Sequence, residues 1–260
     1  MRTGWLAGLG AGVALAAIVL AGCRFGSDLF QAKFSKSEER TAPLTGVTAL
    51  NVTTNVGKIQ LEAAEVTEAR ITADIKVKAD TEEKAEELAE QVEIVAEPRD
   101  QTLFIKAVKP SGMRDDQLAV DFTITAPAHL ALDCTTNVGD VRTTGFTQRV
   151  KAGTNVGSVN CSGLRGPADL HTNVGDIRVE YASDAPAAMN VTAAADVGNI
   201  DFCGPQQISA HLSAAANVGS IDTDRPITVT GSVGHSVHAS LGSGEGQVNL
   251  STNVGSIRIR

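Results

Sequence analysis

The tripeptide Asn-Val-Gly recurs along the chain and constrains its fold more than any other sequence feature. The copies, six complete and two degenerate, begin at Asn55, Asn137, Asn155, Asn173, Asn217 and Asn253, and at Asp196 and Ser232. The composition gives on the order of 0.1 such copies by chance, so the repeat is real. From Gly57 onward the repeat glycines are separated by 82, 18, 18, 23, 21, 15 and 21 residues. Self-similarity of this kind is typical of stacked repeat architectures.

Apolar residues alternate on both sides of each repeat glycine. With that glycine as position 0, positions −7, −5, −1, +2 and +4 are mostly apolar, and position −3 is always small. This alternation predicts two short strands, each with one buried face, joined by a sharp turn at the glycine. The valine at −1, for example Val138 or Val156, belongs to the predicted buried face, so its burial is a test of the prediction.

One such unit cannot bury its own apolar face, so the units must stack with equivalent strands in parallel, about 4.8 Å apart. The predicted fold is all-β, a single-stranded parallel β-helix (solenoid) of about seven or eight rungs. Parallel crossovers favour a right-handed coil. A left-handed hexapeptide helix would need a signal every six residues, which intervals of 23 and 15 do not give. A calcium-binding roll would need Gly-Gly-x-Gly-x-Asp, which the sequence lacks.

The long interval after Gly57 follows a different pattern. Its alternating segments cover residues 69–78, 92–96, 103–107 and 118–124. Between the first two, apolar residues recur at helical spacing from Ala85 to Val92. Asp80 and Glu83 precede them as a capping pair. The interval therefore predicts an antiparallel meander plus one helix that caps the first end of the solenoid.

The first 23 residues predict export. An apolar run from Trp5 to Leu20 leads into Leu-Ala-Gly-Cys, which resembles the lipobox of bacterial lipoproteins. In that class the signal is cut before the cysteine, here Cys23, which then carries the acyl chains that hold the protein to a membrane. The alternative is an uncleaved transmembrane anchor, since the run is just long enough to cross a bilayer. Arg24 stands where an aspartate is associated with inner-membrane retention, so the resemblance implies the outer membrane.

The chain thus divides into four predicted segments. They are the lipoprotein signal peptide 1–22, the lipidated cysteine and linker 23–45, the first rung and cap 46–128, and the solenoid repeats 129–260. With 22 basic and 30 acidic residues the net charge is −8, and aromatic residues make up 3% of the chain. This composition argues against nucleic acid as a partner and against aromatic platforms that stack bases or sugars.

The repeated asparagine and glycine columns are predicted to form a structural turn ladder. Asparagine bonds readily to nearby backbone, and glycine supplies positive φ. Stacked asparagines can also bond to one another along the solenoid. The ladder comprises Asn55, Gly57, Asn137, Gly139, Asn155, Gly157, Asn173, Gly175, Asn217, Gly219, Asn253 and Gly255.

Position +3 faces outward and carries charge. Asp201 and Asp222 are expected to be neighbours on adjacent rungs, with Asp224 two residues further along. Some right-handed β-helices cleave sugars with carboxylates and a basic residue on one sheet face, so these three and Arg178 form the candidate cluster of an alternative, enzymatic interpretation. The preferred interpretation is that Arg and Asp pair across rungs and keep the sheet soluble. No catalytic residue is therefore assigned, and the chain is predicted not to be an enzyme.

The remaining cysteines and histidines give no metal or cofactor site. Cys134 and Cys161 fall at inward positions and are predicted to be buried free thiols, whereas Cys203 faces outward. His235 and His238 lie three apart, which on a strand places them on opposite faces, so a bulge or loop is expected there. None of these spacings matches a metal knuckle or a redox pair.

The chain ends at Arg260, inside the last predicted strand. A final rung that nothing covers is a template for pairing with another chain. The sequence therefore predicts self-association through the C-terminal rung as one way in which copies could pair, with Arg258 and Arg260 as charges that oppose it.

Together these residues resemble the bacterial "putative adhesin" β-strand-repeat family, a domain of unknown function. The likeness rests on the lipobox, a polar linker, a first Asn-Val-Gly-Lys-Ile rung, a strand-helix-strand insertion and the repeated Thr-Asn-Val-Gly-Asp rungs, and it covers about residues 31–260. It implies a β-helical fold and brings no catalytic residues. The predicted function is a lipid-anchored cell-envelope protein that binds or scaffolds an envelope glycan or a surface protein. The alternative is a carbohydrate-active β-helix enzyme that acts on polysaccharide.

Overall fold

A computed structural model describes residues 32–233 and 235–260. The predicted signal peptide 1–22 and the predicted lipidation site Cys23 lie outside the described residues. These residues contain one helix, α1 (Glu82–Glu90), and a short 3₁₀ turn at Asp115–Gln117. The strands are β1 (Ala32–Pro43), β2 (Ala49–Val56), β3 (Ile59–Ala63), β4 (Glu68–Ala79), β5 (Glu93–Arg99), β6 (Thr102–Val108), β7 (Leu118–Ala126), β8 (Ala131–Val138), β9 (Val141–Thr144), β10 (Val150–Val156), β11 (Val159–Leu164), β12 (Ala168–Val174), β13 (Ile177–Tyr181), β14 (Asn190–Val197), β15 (Ile200–Cys203), β16 (Ala210–Val218), β17 (Ile221–Thr223), β18 (Thr228–Val233), β19 (Ser236–Leu241), β20 (Gly246–Val254) and β21 (Ile257–Ile259).

The strands form two large, mostly parallel sheets. Sheet I has the order β1-β4-β7-β3-β9-β11-β13-β15-β21-β17, and sheet II has the order β18-β19-β16-β20-β14-β12-β10-β8-β2-β6-β5. Each Asn-Val-Gly corner joins a strand of sheet II to a strand of sheet I, and such a pair is a rung. Equivalent residues pair from rung to rung, so Val150 aligns with Leu132 on one side and Ala168 on the other. The all-β prediction of stacked parallel rungs is confirmed.

The core lies between the two sheets. In rung β8–β9 the residues at −7, −5 and +2, which are Leu132, Cys134 and Val141, are 0 to 3% exposed. The apolar cluster runs without a break from Ala42 to Ile259. The predicted boundary between residues 128 and 129 therefore separates no independent bodies.

The predicted burial of the valine at −1 is wrong. Val138, Val156 and Val174 are 41 to 49% exposed. Strand alternation stops at the small residue at −3, because the chain then turns toward the glycine, and both the asparagine and the valine face solvent. The stack does not need these valines, since positions −7, −5, −3, +2 and +4 fill the core.

The corners require glycine for two reasons, the backbone φ angle and the lack of space for a Cβ. Gly175 has φ of 149°, a region that L side chains rarely adopt. A Cβ on Gly175 would lie 1.9 Å from the carbonyl oxygen of Gly157 on the next rung. Each corner therefore rests directly on the corner beside it, which leaves no space for a side chain.

The small residue at −3 is most often a buried threonine that bonds to the neighbouring corner. The hydroxyls of Thr154 and Thr172 donate to the carbonyl oxygens of Gly139 and Gly157, each at 2.9 Å. The hydroxyl of Thr252 does the same to the Gly198 carbonyl at 2.8 Å. These bonds satisfy carbonyl groups at the corner where the strand ladder is interrupted.

We expect Thr172→Val to lower the free energy of unfolding by about 1–3 kcal/mol, because it keeps the shape of a fully buried side chain but removes the donor to the Gly157 carbonyl. Thr172→Ser keeps the donor and loses one methyl group, worth roughly 0.8 kcal/mol. Denaturant unfolding followed by circular dichroism measures both. A Thr172→Val protein as stable as the wild type would show that the hydroxyl contributes nothing.

The C-terminal rung does not end the stack. Strand β20 pairs in parallel with β14 on one side and β16 on the other, and β21 lies between β15 and β17. The prediction of an uncovered C-terminal rung is therefore wrong, and self-association through it lacks the free backbone edge that it needs. In chain order, rung β16–β17 is followed by strands β18 and β19, and the last rung, β20–β21, then lies between rungs β14–β15 and β16–β17.

The degenerate copy at Ser232 is not a rung. Strands β18 and β19 form an antiparallel pair, with a register shift between Val229 and Gly231, and β19 runs antiparallel to β16. The described stack therefore contains seven rungs and ends in this pair on the side of sheet II.

The N-terminal region departs from the predicted linker and meander. Residues 32–43 form strand β1, which pairs antiparallel with β4, although residues 23–45 were predicted to be a linker. The strands after Gly57 do not form one meander, because β4 and β7 extend sheet I whereas β5 and β6 extend sheet II. The predicted helix is present, but its N-cap is Thr81, whose hydroxyl accepts from the Lys84 amide at 3.2 Å, and not Asp80.

Candidate binding surface

The exposed valines form a continuous apolar line along one corner of the stack, which we call the valine stripe. Register pairs join Val138 to Val156, Val156 to Val174 and Val174 to Val197. Val254 and Val218 continue the line, and Val218 is the most exposed at 63%. At about 4.8 Å per rung the six valines span a length of about 24 Å. Contiguous exposed apolar surface on a well-packed protein is typical of an interaction site.

The asparagine ladder runs beside the stripe on the outer face of sheet II. The amide of Asn173 donates to the side-chain oxygen of Asn155, and that of Asn155 donates to Asn137. Further along, Asn217 donates to Asn253 at 3.0 Å. Asn253 in turn donates to Asp196 at 3.1 Å, so the degenerate copy keeps its place in the ladder. Apart from the Asp196 carboxylate, the ladder offers neutral polar groups that bond to one another.

At three corners the side chain after the glycine accepts a hydrogen bond from the backbone of the neighbouring rung. The carboxylate of Asp140 accepts from the backbone amide of Ser158 at 2.9 Å, and that of Asp176 accepts from the amide of Asn199 at 2.8 Å. The Asn199 side chain accepts in the same way from the Ser256 amide at 2.9 Å. These side chains have structural partners and are not free for chemistry.

A groove of about 380 Å³ lies on the outer face of sheet II, on the other side of the asparagine ladder. Gly153 forms part of its floor, between Thr135 and His171 in register on the neighbouring strands. A Cβ on Gly153 would meet nothing closer than 3.7 Å, and φ at this glycine is not positive. The backbone therefore does not require a glycine here, and its effect is to leave space on the surface.

The groove is bordered by charges that neutralise one another. Lys151 pairs with Asp133 at 3.4 Å, and Arg149 pairs with Asp169 at 3.1 Å. The His171 imidazole contacts the Asn173 side-chain oxygen at 2.8 Å. The corner thus combines an apolar ridge with a groove whose bordering charges are paired, whereas the sequence had indicated a buried valine column beside the asparagine ladder.

The carboxylates of the enzymatic alternative do not come together as expected. Asp201 and Asp222 are not on adjacent rungs, because Arg258 of the inserted C-terminal rung aligns with both of them. The Arg260 guanidinium donates hydrogen bonds to the Asp201 carboxylate in an ion pair. The hydrogen bonding to this carboxylate raises the pKa of the guanidinium. The prediction that the two aspartates are neighbours is therefore wrong.

The other members of that cluster also have partners. Arg258 binds Asp224 at 2.9 Å, and Arg178 lies 3.5 Å from Glu180. The Asp222 carboxylate accepts from the Ser220 hydroxyl at 2.8 Å. Two Arg–Asp ion pairs thus link neighbouring segments of this face, Arg258 with Asp224 and Arg260 with Asp201.

The cysteines lie where the sequence places them. Cys134 and Cys161 are buried free thiols, and Cys203 is half-buried at the outer face. Burial raises the pKa of both inner thiols, that of Cys161 to about 12. They are therefore protonated and unreactive at neutral pH.

His235 and His238 are exposed at the start and middle of the β19 region and join no metal-binding group. In the ranges 32–233 and 235–260, no cluster of three or more His, Cys, Asp or Glu side chains could hold a metal ion. Within the same ranges, no helix is long and apolar enough to cross a membrane.

The profile of the Toastrack DUF4097 family matches residues 120–260, from within β7 to the last residue. The chain belongs to the Toastrack DUF4097 family. The Toastrack region so defined contains six of the seven rungs, the valine stripe from Val138 onward and the groove floor at Gly153. A search of curated proteins found no match.

Three solved structures resemble the chain that contains this Toastrack region. A "putative cell adhesion protein" from Clostridium sporogenes is 15% identical, with 87% of this chain and 99% of that chain covered and a TM-score of 0.46. A "putative adhesin" from Bacteroides fragilis is 19% identical, with 86% and 97% covered and a TM-score of 0.44. A "putative lipid binding protein" from Parabacteroides distasonis is 11% identical, with 86% and 96% covered and a TM-score of 0.28.

Proposed function

We propose that this protein is a non-catalytic, adhesin-like binding module of the bacterial cell envelope, and that it engages its partner along the valine stripe and the adjoining groove. The proposal includes a right-handed coil and a lipid anchor on Cys23 that holds the body at the outer membrane. The lipobox resemblance and the handedness rule for parallel crossovers support these two parts.

The exposed valine stripe is the observation that carries the binding role. Val156 and Val174 are each 49% exposed although the fold buries apolar residues efficiently elsewhere, down to 0% at Val159 and Val179. An apolar surface of this length is costly in water unless a partner covers it at least part of the time. The paired charges around Asp201 explain why catalysis is not part of the proposal.

We expect Val156→Ser with Val174→Ser to reduce binding of the purified chain to isolated cell envelopes by at least about tenfold, because the substitutions remove apolar contact area at the centre of the stripe. Asp201→Ala with Asp222→Ala should bind as the wild type does. Sedimentation of labelled protein with the envelopes measures the binding, and a reducing-sugar assay on the supernatant measures any cleavage.

Both valines project into solvent, so thermal melting of the double serine variant should match that of the wild type and exclude unfolding as the cause of lost binding. Wild-type binding by the serine variant would contradict the proposed surface. If the wild type releases sugar from the envelopes and the Asp201→Ala, Asp222→Ala variant does not, the result would instead support the interpretation as a carbohydrate-active enzyme.

A further inference from the structure

The valine stripe and the groove are complementary in shape and lie side by side on the same rungs. The stripe is formed by residues at −1 and protrudes, whereas the groove has its floor at −4, around Gly153. We propose that the partner on this surface is a second copy of the chain, with the stripe of each copy seated in the groove of the other. This inference rests on the proposed function, because it names the occupant of that same surface.

The positions of the two features fit a two-fold axis. The groove is lined by residues of strands β2, β8, β10 and β12, with Gly153 on β10. Val138, Val156 and Val174 lie on β8, β10 and β12. A two-fold axis parallel to the stack, between the stripe and the groove, therefore sets each stripe over the opposite groove with equivalent rungs face to face. Such an isologous contact uses each feature twice and closes as a dimer.

The spacing of the rungs matches in any two copies. Stripe and groove repeat at about 4.8 Å because both follow the hydrogen-bonded strand spacing. Each valine of one copy can thus meet an equivalent position of the other without distortion of either stack. A partner with a different fold would have to reproduce this period.

The local charge also favours a second copy. The whole chain has a net charge of −8, so two copies repel each other except where the facing surfaces are neutral. The stripe is apolar, the asparagines bond to one another, and the charges beside the groove are paired as Lys151 with Asp133 and Arg149 with Asp169. Beside the groove, a strongly charged partner would meet ion pairs whose charges are already compensated.

The size of the contact implies a weak, reversible dimer. A stable complex buries about 800 Å² on each partner. A single row of valines about 24 Å long is too narrow to supply this area, so the groove and the asparagine ladder between them must contribute. We expect a dissociation constant on the order of 10 μM, at the weak end for an interface of this size.

Analytical ultracentrifugation of residues 24–260 tests the inference, since every described contact lies in residues 32–260. The wild type should sediment as a monomer at about 1 μM and mainly as a dimer at about 200 μM. Val156→Ser removes the middle one of the three valines that lie on the rungs of the groove, and Gly153→Gln fills the groove with an uncharged side chain. Each should weaken the dimer at least about tenfold.

Val218→Ser is the matched control, because it makes the same change on the same stripe but on strand β16, beyond the rungs that the groove spans. This variant should dimerise as the wild type does, and all three variants should melt at the wild-type temperature. A wild-type chain that is monomeric at about 200 μM, or a dimer that Val156→Ser and Gly153→Gln leave intact, would overturn the inference. If the wild-type chain is monomeric but the Val156→Ser, Val174→Ser variant binds envelopes more weakly than the wild type, the proposed function stands and the partner is not a second copy.

Discussion

A chain that ends at Glu245, without residues 246–260, is expected to lose the native stack. The deleted rung β20–β21 is inserted between two other rungs in both sheets, so its removal leaves facing strands without partners in the middle of the molecule. Val248, Leu250, Ile257 and Ile259 of this rung are 0 to 1% exposed. At about 1.5–3 kcal/mol for each buried side chain, their loss costs roughly 6–12 kcal/mol. That is comparable to the whole stability of a typical domain, about 5–15 kcal/mol.

Circular dichroism melting and limited proteolysis measure this effect. The shortened chain should show no cooperative transition at the wild-type temperature, and a protease of broad specificity such as proteinase K should cleave it in the region of β16 and β17. The control replaces residues 228–241, which form the antiparallel strands at the edge of sheet II, with a Gly-Ser linker of equal length. This variant should keep a cooperative transition, because only an edge of one sheet is lost. A cooperative, protease-resistant fold of the shortened chain would contradict the inserted position of the C-terminal rung.

Gly175→Ala is expected to destabilise the protein by on the order of 3–5 kcal/mol. Two costs combine in this estimate. The backbone at Gly175 has φ of 149°, which alone costs a residue with a side chain about 1–3 kcal/mol. The added Cβ would also lie 1.9 Å from the Gly157 carbonyl oxygen, so the two rungs must move apart. Denaturant unfolding should show a large fall in the midpoint, and expression at 37 °C should drop.

Gly153→Ala is the matched control for this substitution. Gly153 lies two residues before Asn155, on the rung next to that of Gly175, and its φ is not positive. A Cβ added there would lie 3.7 Å from the His171 carbonyl oxygen, an ordinary van der Waals contact. The change in stability should lie within about 1 kcal/mol and can be favourable, because alanine restricts the unfolded chain. Equal effects of the two substitutions would show that the corner glycines are not held by geometry.

Gly153 and Gly175 differ in how well the sequence predicts their roles. The periodic glycine predicts a corner, and the structure adds that the corner touches its neighbour. The isolated glycine at −4 belongs to no repeated column, so no periodicity indicated the groove that it opens. The signal that could have indicated the groove is a small residue, here Gly153, at an outward position that carries larger side chains on the neighbouring rungs.

The amino-acid sequence by itself determined the rung. The alternation of Leu132, Cys134 and Val141 around a glycine defines two short strands with one buried face, and such strands are stable only when stacked. It also determined the asparagine ladder, because a residue type repeated at one position of most rungs meets its own copies in the stack. Both are consequences of a local period that recurs.

Only the tertiary structure decided which rung lies beside which, and where the stack ends. All rungs present nearly the same backbone edges and core positions, so no local feature distinguishes one neighbour from another. The chain therefore could place β20–β21 inside the stack, which brings Arg258 between Asp201 and Asp222 and separates a suspected acidic pair. The valine at −1 turned outward for a related reason: the contact between corner glycines of neighbouring rungs bends the chain before the alternation can continue, and that contact exists only in the assembled stack.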